Sequence, residues 1–301
     1  MNDLIIVGAG PAGITASVYA ARKKMDFLVI SRDIGGQAAW SGDIENYTGY
    51  QFITGPELAR KFEEHMRKYG ISVRDGESVI DIKKDKDVIS VRTDKAVYQA
   101  RSVIIASGKR SRELGVPQED KFKNHGLTYC ATCDGPLFAG KTVAVIGGGN
   151  SALDAALQLV NIAAKVYIIN ISSALVGDAV MREKIEANAK VSVLNNAQVA
   201  AIYGDRMVSG IRVKTDSGES DLSVEGVFVE IGLAPNSDLA PAIRKNSFNE
   251  IKVDSSNQTN LPGIFAAGDV TDVPEKQIIV AAGEGAKAAL SAFRYLSQHK
   301  F

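Results

Sequence analysis

Asp3-Leu4-Ile5-Ile6-Val7-Gly8-Ala9-Gly10-Pro11-Ala12-Gly13 is an apolar run that breaks into a glycine-rich turn. The run predicts a buried strand, Asp3–Val7, and Pro11 opens a predicted helix reaching about Lys24. Phe27–Ser31 is apolar again, so the segment reads strand, turn, helix, strand. In such a unit the first glycine allows a tight turn. The second lets backbone approach a pyrophosphate, and the third lets helix pack on strand. The helix N-terminus offers unpaired N–H groups and the positive end of its dipole to an anion. Gly8, Gly10, Pro11, Ala12 and Gly13 are therefore candidate dinucleotide contacts. The usual acid after the second strand is not obvious, since Ser31-Arg32-Asp33 occupies that region.

One such motif is a weak signal, but the pattern recurs. Lys141–Ile146 predicts a strand, Gly147-Gly148-Gly149 a turn, Asn150–Asn161 a helix and Val166–Asn170 the next strand. Gly147, Gly149, Asn150, Ser151 and Ala152 become candidates for a second dinucleotide. The two turns lie 139 residues apart, the period of a degenerate internal repeat. A helix starting at Pro56 carries Leu58, Phe62 and Met66 on one face and stops at Gly70. Val79–Ile82, Val88–Val91 and Val97–Ala100 read as an antiparallel insert, after which Ser102–Ala106 returns to the main sheet. Val199–Tyr203, Val208–Val213 and Asp221–Ser223 repeat the insert, and Val227–Ile231 closes the second half. Ile264–Asp269 and a long helix from about Lys276 to Leu296 start no third repeat and are expected to rejoin the first half. The expected fold is α/β: two Rossmann-like (three-layer ββα) domains, the second inserted in the first. Residues 1–113 and 237–301 would form one, and 114–236 the other.

Cys130-Ala131-Thr132-Cys133-Asp134 contains both cysteines of the chain. A CxxC with no secretion signal reads as a dithiol/disulfide redox pair. A structural zinc half-site would need two more ligands. No other cysteine exists, and His65, His125 and His299 show no ligand spacing, so no metal is expected. A CxxC at a helix start has one thiolate stabilised by the dipole. Asp134 is placed to shuttle a proton or to cap the turn at Gly135-Pro136. Lysines and arginines total 35 against 35 acids, which argues against a nucleic-acid footprint or a basic membrane patch. The apolar runs are too short to span a bilayer, and Asp3 precedes the first one, so a cytoplasmic protein is expected.

The chain resembles the low-molecular-weight thioredoxin reductases and the flavoprotein subunit of alkyl hydroperoxide reductase. The resemblance rests on GAGPAG at Gly8–Gly13, Gly35-Gly36-Gln37, Glu45-Asn46-Tyr47, CATCDG at Cys130–Gly135, GGGNSA at Gly147–Ala152, AAGD at Ala266–Asp269, and Gln277. FVEIGLAP at Phe228–Pro235 looks especially like the peroxide-reductase flavoprotein. That flavoprotein carries an extra N-terminal redox domain, so a free-standing reductase is expected here. The resemblance implies FAD held by Gly36, Gln37, Asn46 and Asp269, with Gln277 and the start of its helix by the flavin ring. It adds Gly108, Gly268 and Ile278 to the candidate cofactor contacts. It further implies that Cys133 faces the flavin, Cys130 exchanges with a thioredoxin-like or glutaredoxin-like partner, and Asp134 is the acid/base. A homodimer is implied, as are hinges near Glu113–Val116 and Ala234–Ser237.

One departure concerns the electron donor. NADPH-using relatives follow the second domain's second strand with a basic cluster, and NADH users place an acid there. Here Val166-Tyr167-Ile168-Ile169 ends in Asn170, and the next basic residue is Arg182. A 2′-phosphate would lack charge-assisted contacts, so NADPH is disfavoured. NADH is favoured over it, with Asn170 as a ribose contact. Reduced ferredoxin, a deazaflavin, or a reverse dithiol-oxidase role are the alternatives. A non-catalytic flavin-bound sensor ranks below them.

Overall fold

The computed structural model describes residues 1–41 and 43–299. The chain divides into two compact units, Met1–Arg110 with Ala234–Phe301, and Ser111–Leu233.

In the first unit, strand Asn2–Ala9 pairs parallel with Phe27–Ile34 on one side and Val97–Ile105 on the other. Val73–Asp75 and Ile264–Ala266 extend the parallel pairing outward from these two. Val88–Thr93 and Val79–Asp85 add antiparallel strands. The central strand is a near-continuous apolar run because both of its faces are covered. Leu4 and Ile6 join Ile104 and Phe265 under helix Pro11–Arg22 and the C-terminal helix Ile278–Gln298. Ile5 and Val7 point the other way, into a cluster with Ile89, Val91, Ile105 and Ile243. Those two helices approach closely: a Cβ on Gly285 would lie 2.0 Å from the Ala12 carbonyl oxygen. Helix Gly55–Lys68 begins with a reciprocal capping box between Thr54 and Glu57.

Val97–Ala100 and Ser102–Ala106, expected as two strands, are one strand, Val97–Ile105. Its start pairs antiparallel with Val88–Thr93 and its end runs in the parallel sheet. Arg101 between them is no breaker; the sequence pattern changes there because burial changes, while the backbone stays extended.

The second unit is a five-stranded parallel sheet in the order Leu127–Thr128, Gly226–Val229, Thr142–Ile146, Lys165–Ile169, Val191–Leu194. Val143, Val145, Ile168 and Phe228 pack on Ala152, Ala156 and Leu159 of helix Asn150–Leu159. Ala144, Ile146 and Val227 face the antiparallel strands Gln198–Gly204 and Val208–Thr215 through Ile202 and Ile211. The third strand of that meander is Gly218–Leu222, set slightly earlier than its sequence pattern suggests. Strand Val191–Leu194 and helix Ala179–Glu186 had no clear sequence signal.

Arginines brace the chain on each side of the boundary. In the first unit Arg110 donates to the Pro235 carbonyl, Asn236 and Asp238. In the second, the Arg112 backbone N–H donates to Gly232 O and its side chain to Leu233 O. Among the described residues no helix is long and apolar enough to cross a membrane.

Phe228 is fully buried and meets Phe138 edge-on, with ring centroids 5.0 Å apart. Phe228→Ala should destabilise the second unit by about 3–5 kcal/mol, read as a lower urea midpoint with the first unit's transition unmoved.

Candidate active site

The first glycine turn is shaped by backbone contact. Gly8 has φ +105°, and a Cβ there would stand 2.3 Å from the Ala106 carbonyl oxygen. Gly10 is different: the nearest outside atom to its missing Cβ is Gly36 Cα at 4.0 Å, so the turn has open space above it. The helix that follows has no side-chain cap and no acid in its first turn, which leaves its N–H groups for an anion. Pro11 and Ala12 begin that helix. Gly268, with φ +76°, sits against Ala12 and Ala281, bringing Asp269 to the same end of the sheet. Asn46 donates to Gln277 Oε1 at 3.1 Å, just before Ile278 opens the uncapped C-terminal helix. Gln37 donates to the Lys109 carbonyl at 2.8 Å, next to Gly108. Gly8, Gly10, Gly36 and the uncapped start of the helix therefore form one open cradle whose chemistry suits a dinucleotide pyrophosphate.

Charges beneath this cradle are organised by Glu250. Lys109 and Lys276 each approach it at 3.0 Å. Burial opposes its charge, yet hydrogen bonds from Asn246, Lys109 and Lys276 hold its carboxyl down at about 2. Burial pushes the Asp269 carboxyl up from its ordinary value, against the pull of Lys276 and Lys109. A ligand that supplies hydroxyl donors to Asp269 would relieve that cost.

The second glycine turn keeps the frame. A Cβ on Gly147 (φ +137°) would stand 2.2 Å from the Glu230 carbonyl oxygen, while Gly149 has nothing within 4 Å. Ser151 is exposed and Ala152 is fully buried against the turn, so Ala152 serves packing. Two expected contacts are otherwise engaged. Asn150 Oδ1 accepts the Asp178 N–H at 2.7 Å. Asn170, expected to meet a ribose hydroxyl, is only 2% exposed. Its amide donates to Ser172 O at 3.1 Å and Asn195 Oδ1 at 2.8 Å, and its oxygen accepts from Ser172 N–H. Both amide hydrogens are spent inside the protein. The oxygen lies 2.2 Å from where a Gly148 Cβ would be, so Gly148 is bare to admit Asn170. The loop then folds back, with Val176 N–H donating to Gly148 O at 2.8 Å. Outside this fold-back Ile171, Val176 and Val180 are exposed, beside Ser173 and Asp178.

Cys130 and Cys133 form a disulfide on a single turn, Ala131–Asp134. The helix expected after the motif is therefore only one turn long; the chain then enters a 3-10 turn, Gly135–Phe138, where Pro136 cannot continue the α-helical hydrogen bonding. In place of a long helix's dipole, Cys133 N–H points at Cys130 Sγ at 3.1 Å. Cys133 is exposed and Cys130 partly so, leaving the pair open to exchange. The Asp134 carboxylate accepts from the Thr128 hydroxyl.

Two residues of this region escaped the sequence reading. Thr128 lies on a two-residue strand, too short for periodicity to reveal. Glu230 directly follows the buried strand Gly226–Val229. Burial, and then the negative field of Asp154, raise its carboxyl from 4.5 to about 8. The signal available was an acid at the C-terminal end of a parallel strand, where ligand sites gather.

The fold and site define a protein of two compact units, each with a glycine turn, and a Cys130–Cys133 disulfide in the second. The profile of the pyridine nucleotide-disulphide oxidoreductase family matches residues 2–285, and the chain belongs to that family. It is 44% identical to a protein named NADH dehydrogenase from Ferdinandcohnia aciditolerans, covering 98% of this chain and 57% of that protein. It is 43% identical to the F component of the alkyl hydroperoxide reductase of Pseudomonas putida, covering 98% and 58%. The chain thus spans little more than half the length of these curated relatives. The crystal structure of Lactococcus lactis thioredoxin reductase superimposes with a TM-score of 0.90 at 32% identity, covering 99% of this chain and 100% of that one.

Gly10→Val puts a side chain into open space, so the fold should persist while the cradle is blocked. The purified variant should show wild-type far-UV circular dichroism with the flavin absorbance lost. At Glu230, folding takes up a proton between pH 4.5 and about 8, so the native state loses stability as pH rises through that window. Glu230→Gln removes this linkage. Its melting temperature should gain on the wild type progressively from pH 5 to about pH 8 and then level off, measured by differential scanning fluorimetry.

Proposed function

We propose that this protein is an FAD-dependent disulfide reductase that delivers electrons from a reduced donor, by way of Cys130–Cys133, to a thioredoxin-like or glutaredoxin-like protein. The observation that carries this reading is the exposed disulfide on its single turn, in a unit built around its own glycine turn. Gly10, Gly36, Gln37, Asn46, Asp269, Gln277 and Ile278 are the residues that would hold FAD. When bound, FAD supplies a two-electron couple between donor and disulfide. Cys130 is the sulfur assigned to the partner, Cys133 the one assigned to the flavin, and Asp134 the proton shuttle. Resemblance supports a homodimer and a reducing cytoplasm in which the pair can cycle. It also supports hinges near Glu113–Val116 and Ala234–Ser237, because a pair that serves both a buried cofactor and a bulky protein needs two settings.

For the donor, NADH is preferred to NADPH. What supports this is the loop after Asn170, whose exposed residues include Ile171, Val176 and Val180 and no cation before Arg182. The inward amide of Asn170 favours a second reading, in which the donor is reduced ferredoxin or a deazaflavin and the second turn serves the fold alone.

An anaerobic spectral titration separates them. On the first reading NADH bleaches the visible flavin band at lower concentration than NADPH, and the reduced protein then reduces a thioredoxin, a step lost in Cys133→Ser. On the second, neither nucleotide bleaches the band, while dithionite does.

A further inference from the structure

The redox turn carries an acid whose placement depends on one hydroxyl. Thr128 belongs to the edge strand Leu127–Thr128, which pairs with Val227 and Phe228 of the buried sheet, and it is 6% exposed. Its hydroxyl hydrogen goes to Asp134 Oδ2, and its oxygen accepts the Cys130 N–H at 3.2 Å. One atom thus touches both the nucleophile's own backbone and the carboxylate four residues further on. Among the described residues it is the one side chain that donates to that carboxylate. The residues after Asp134 are Gly135 and Pro136, which bring no side-chain donor of their own.

We propose that Thr128 is the positioning residue for proton transfer in thiol–disulfide exchange, fixing the Asp134 carboxylate beside Cys130. The proposal rests on the reading of Asp134 as proton shuttle. Starting from the reduced pair, the Cys130 thiol gives its proton to Asp134 and the thiolate attacks one sulfur of the partner disulfide. A Cys130–partner S–S bond forms, the partner's own S–S bond breaks, and the departing thiolate takes the proton back from Asp134. Cys133 then passes its proton to Asp134 and attacks Cys130 Sγ. The mixed disulfide breaks, Cys130–Cys133 closes, and the second partner thiolate is protonated. Two electrons and two protons leave the chain, and Asp134 ends as it began. Of these steps Thr128 is assigned the return of the proton from Asp134 to the departing thiolate, and the weight of that step depends on the leaving thiol. An alkyl thiolate needs its proton, whereas an aryl thiolate leaves well without one.

The test uses the full FAD-loaded chain, reduced with dithiothreitol, desalted anaerobically, and mixed in stopped flow with hydroxyethyl disulfide or with dithiobis(nitrobenzoic acid). Thr128→Val should slow exchange with the alkyl disulfide about tenfold, a modest share of what a positioned acid/base contributes. It should leave the aryl disulfide within about twofold, and Thr128→Ser should restore the alkyl rate. Asp134→Asn is run in parallel. Equal slowing toward both disulfides would make the hydroxyl purely structural and overturn the proposal. If Asp134→Asn slows the alkyl reaction and Thr128→Val does not, the proposal fails while the reading of Asp134 stands. If Asp134→Asn leaves the alkyl rate unchanged, both fall. Thr128→Ala serves for the same comparison should the valine variant not accumulate.

Discussion

A Cβ on Gly13 would stand 1.9 Å from the carbonyl oxygen of Gly8, so the first helix lies where it does only while that position is bare. Overpacking a backbone contact has no cheap remedy, since no rotamer can swing it away. The same end of the helix is crowded from its other side, where Gly285 of the C-terminal helix lies over the Ala12 carbonyl. Gly8 in turn presses on the Ala106 carbonyl of the neighbouring strand end. These close approaches fix strand, turn and both helices to one another. They leave open space above Gly10, at the uncapped start of the helix. The binding cradle is the space that packing leaves over.

The second turn starts from the same constraint and ends elsewhere. Gly147 presses on the Glu230 carbonyl as Gly8 presses on Ala106. In both halves a polar residue in or just after the next strand turns inward. Ser31 Oγ accepts the Ala9 N–H at 3.0 Å and donates to Asp33 O at 2.6 Å. Asn170 does similar work in the second half, with an amide large enough to require a glycine at position 148. A side chain committed to the turn is not available to a ribose. In the first half the residues proposed to hold FAD, Asp269, Gln37 and Asn46, come from distant segments. The second half offers aliphatic surface at Ile171 and Val176.

Much of this was legible in the residues themselves. Glycine turns between an apolar strand and a helix are constrained by sterics that any sequence must obey, and alternate apolar positions in a sheet buried on both faces give one continuous run, as in Leu4–Val7. The CxxC was legible because the chain has no other cysteine. What stayed hidden depends on direction or on distance along the chain. Asn170 is visible as a residue, but its rotamer is decided by Ser172 and Asn195. Strand Val97–Ile105 passes from solvent to core, so its pattern suggests a break the backbone does not have. Thr128 sits on a two-residue strand held by pairing with a segment about a hundred residues away. Glu230 looks like an ordinary acid until the sheet buries it.

The redox turn shows why such hidden contacts matter. Four residues make too short a helix for its dipole to steady a charged sulfur, so placement falls to side chains and to the sheet. On one side Thr128 holds the Cys130 N–H and Asp134. On the other, Thr132 donates to Gln158 Oε1 at 2.9 Å, and Gln158 donates to Asp154 at 2.8 Å along helix Asn150–Leu159. Ala131 is buried, and Gly135 stays bare against Leu159 and Ile162. None of these contacts uses the S–S bond. A turn that relied on its disulfide for shape would loosen whenever the pair was reduced. Hydrogen bonds worth about 0.5–1.5 kcal/mol each are enough here because they act together on few torsions. On the proposed function they would hold the dithiol near the geometry of the disulfide, leaving little ordering to be done when a partner sulfur arrives.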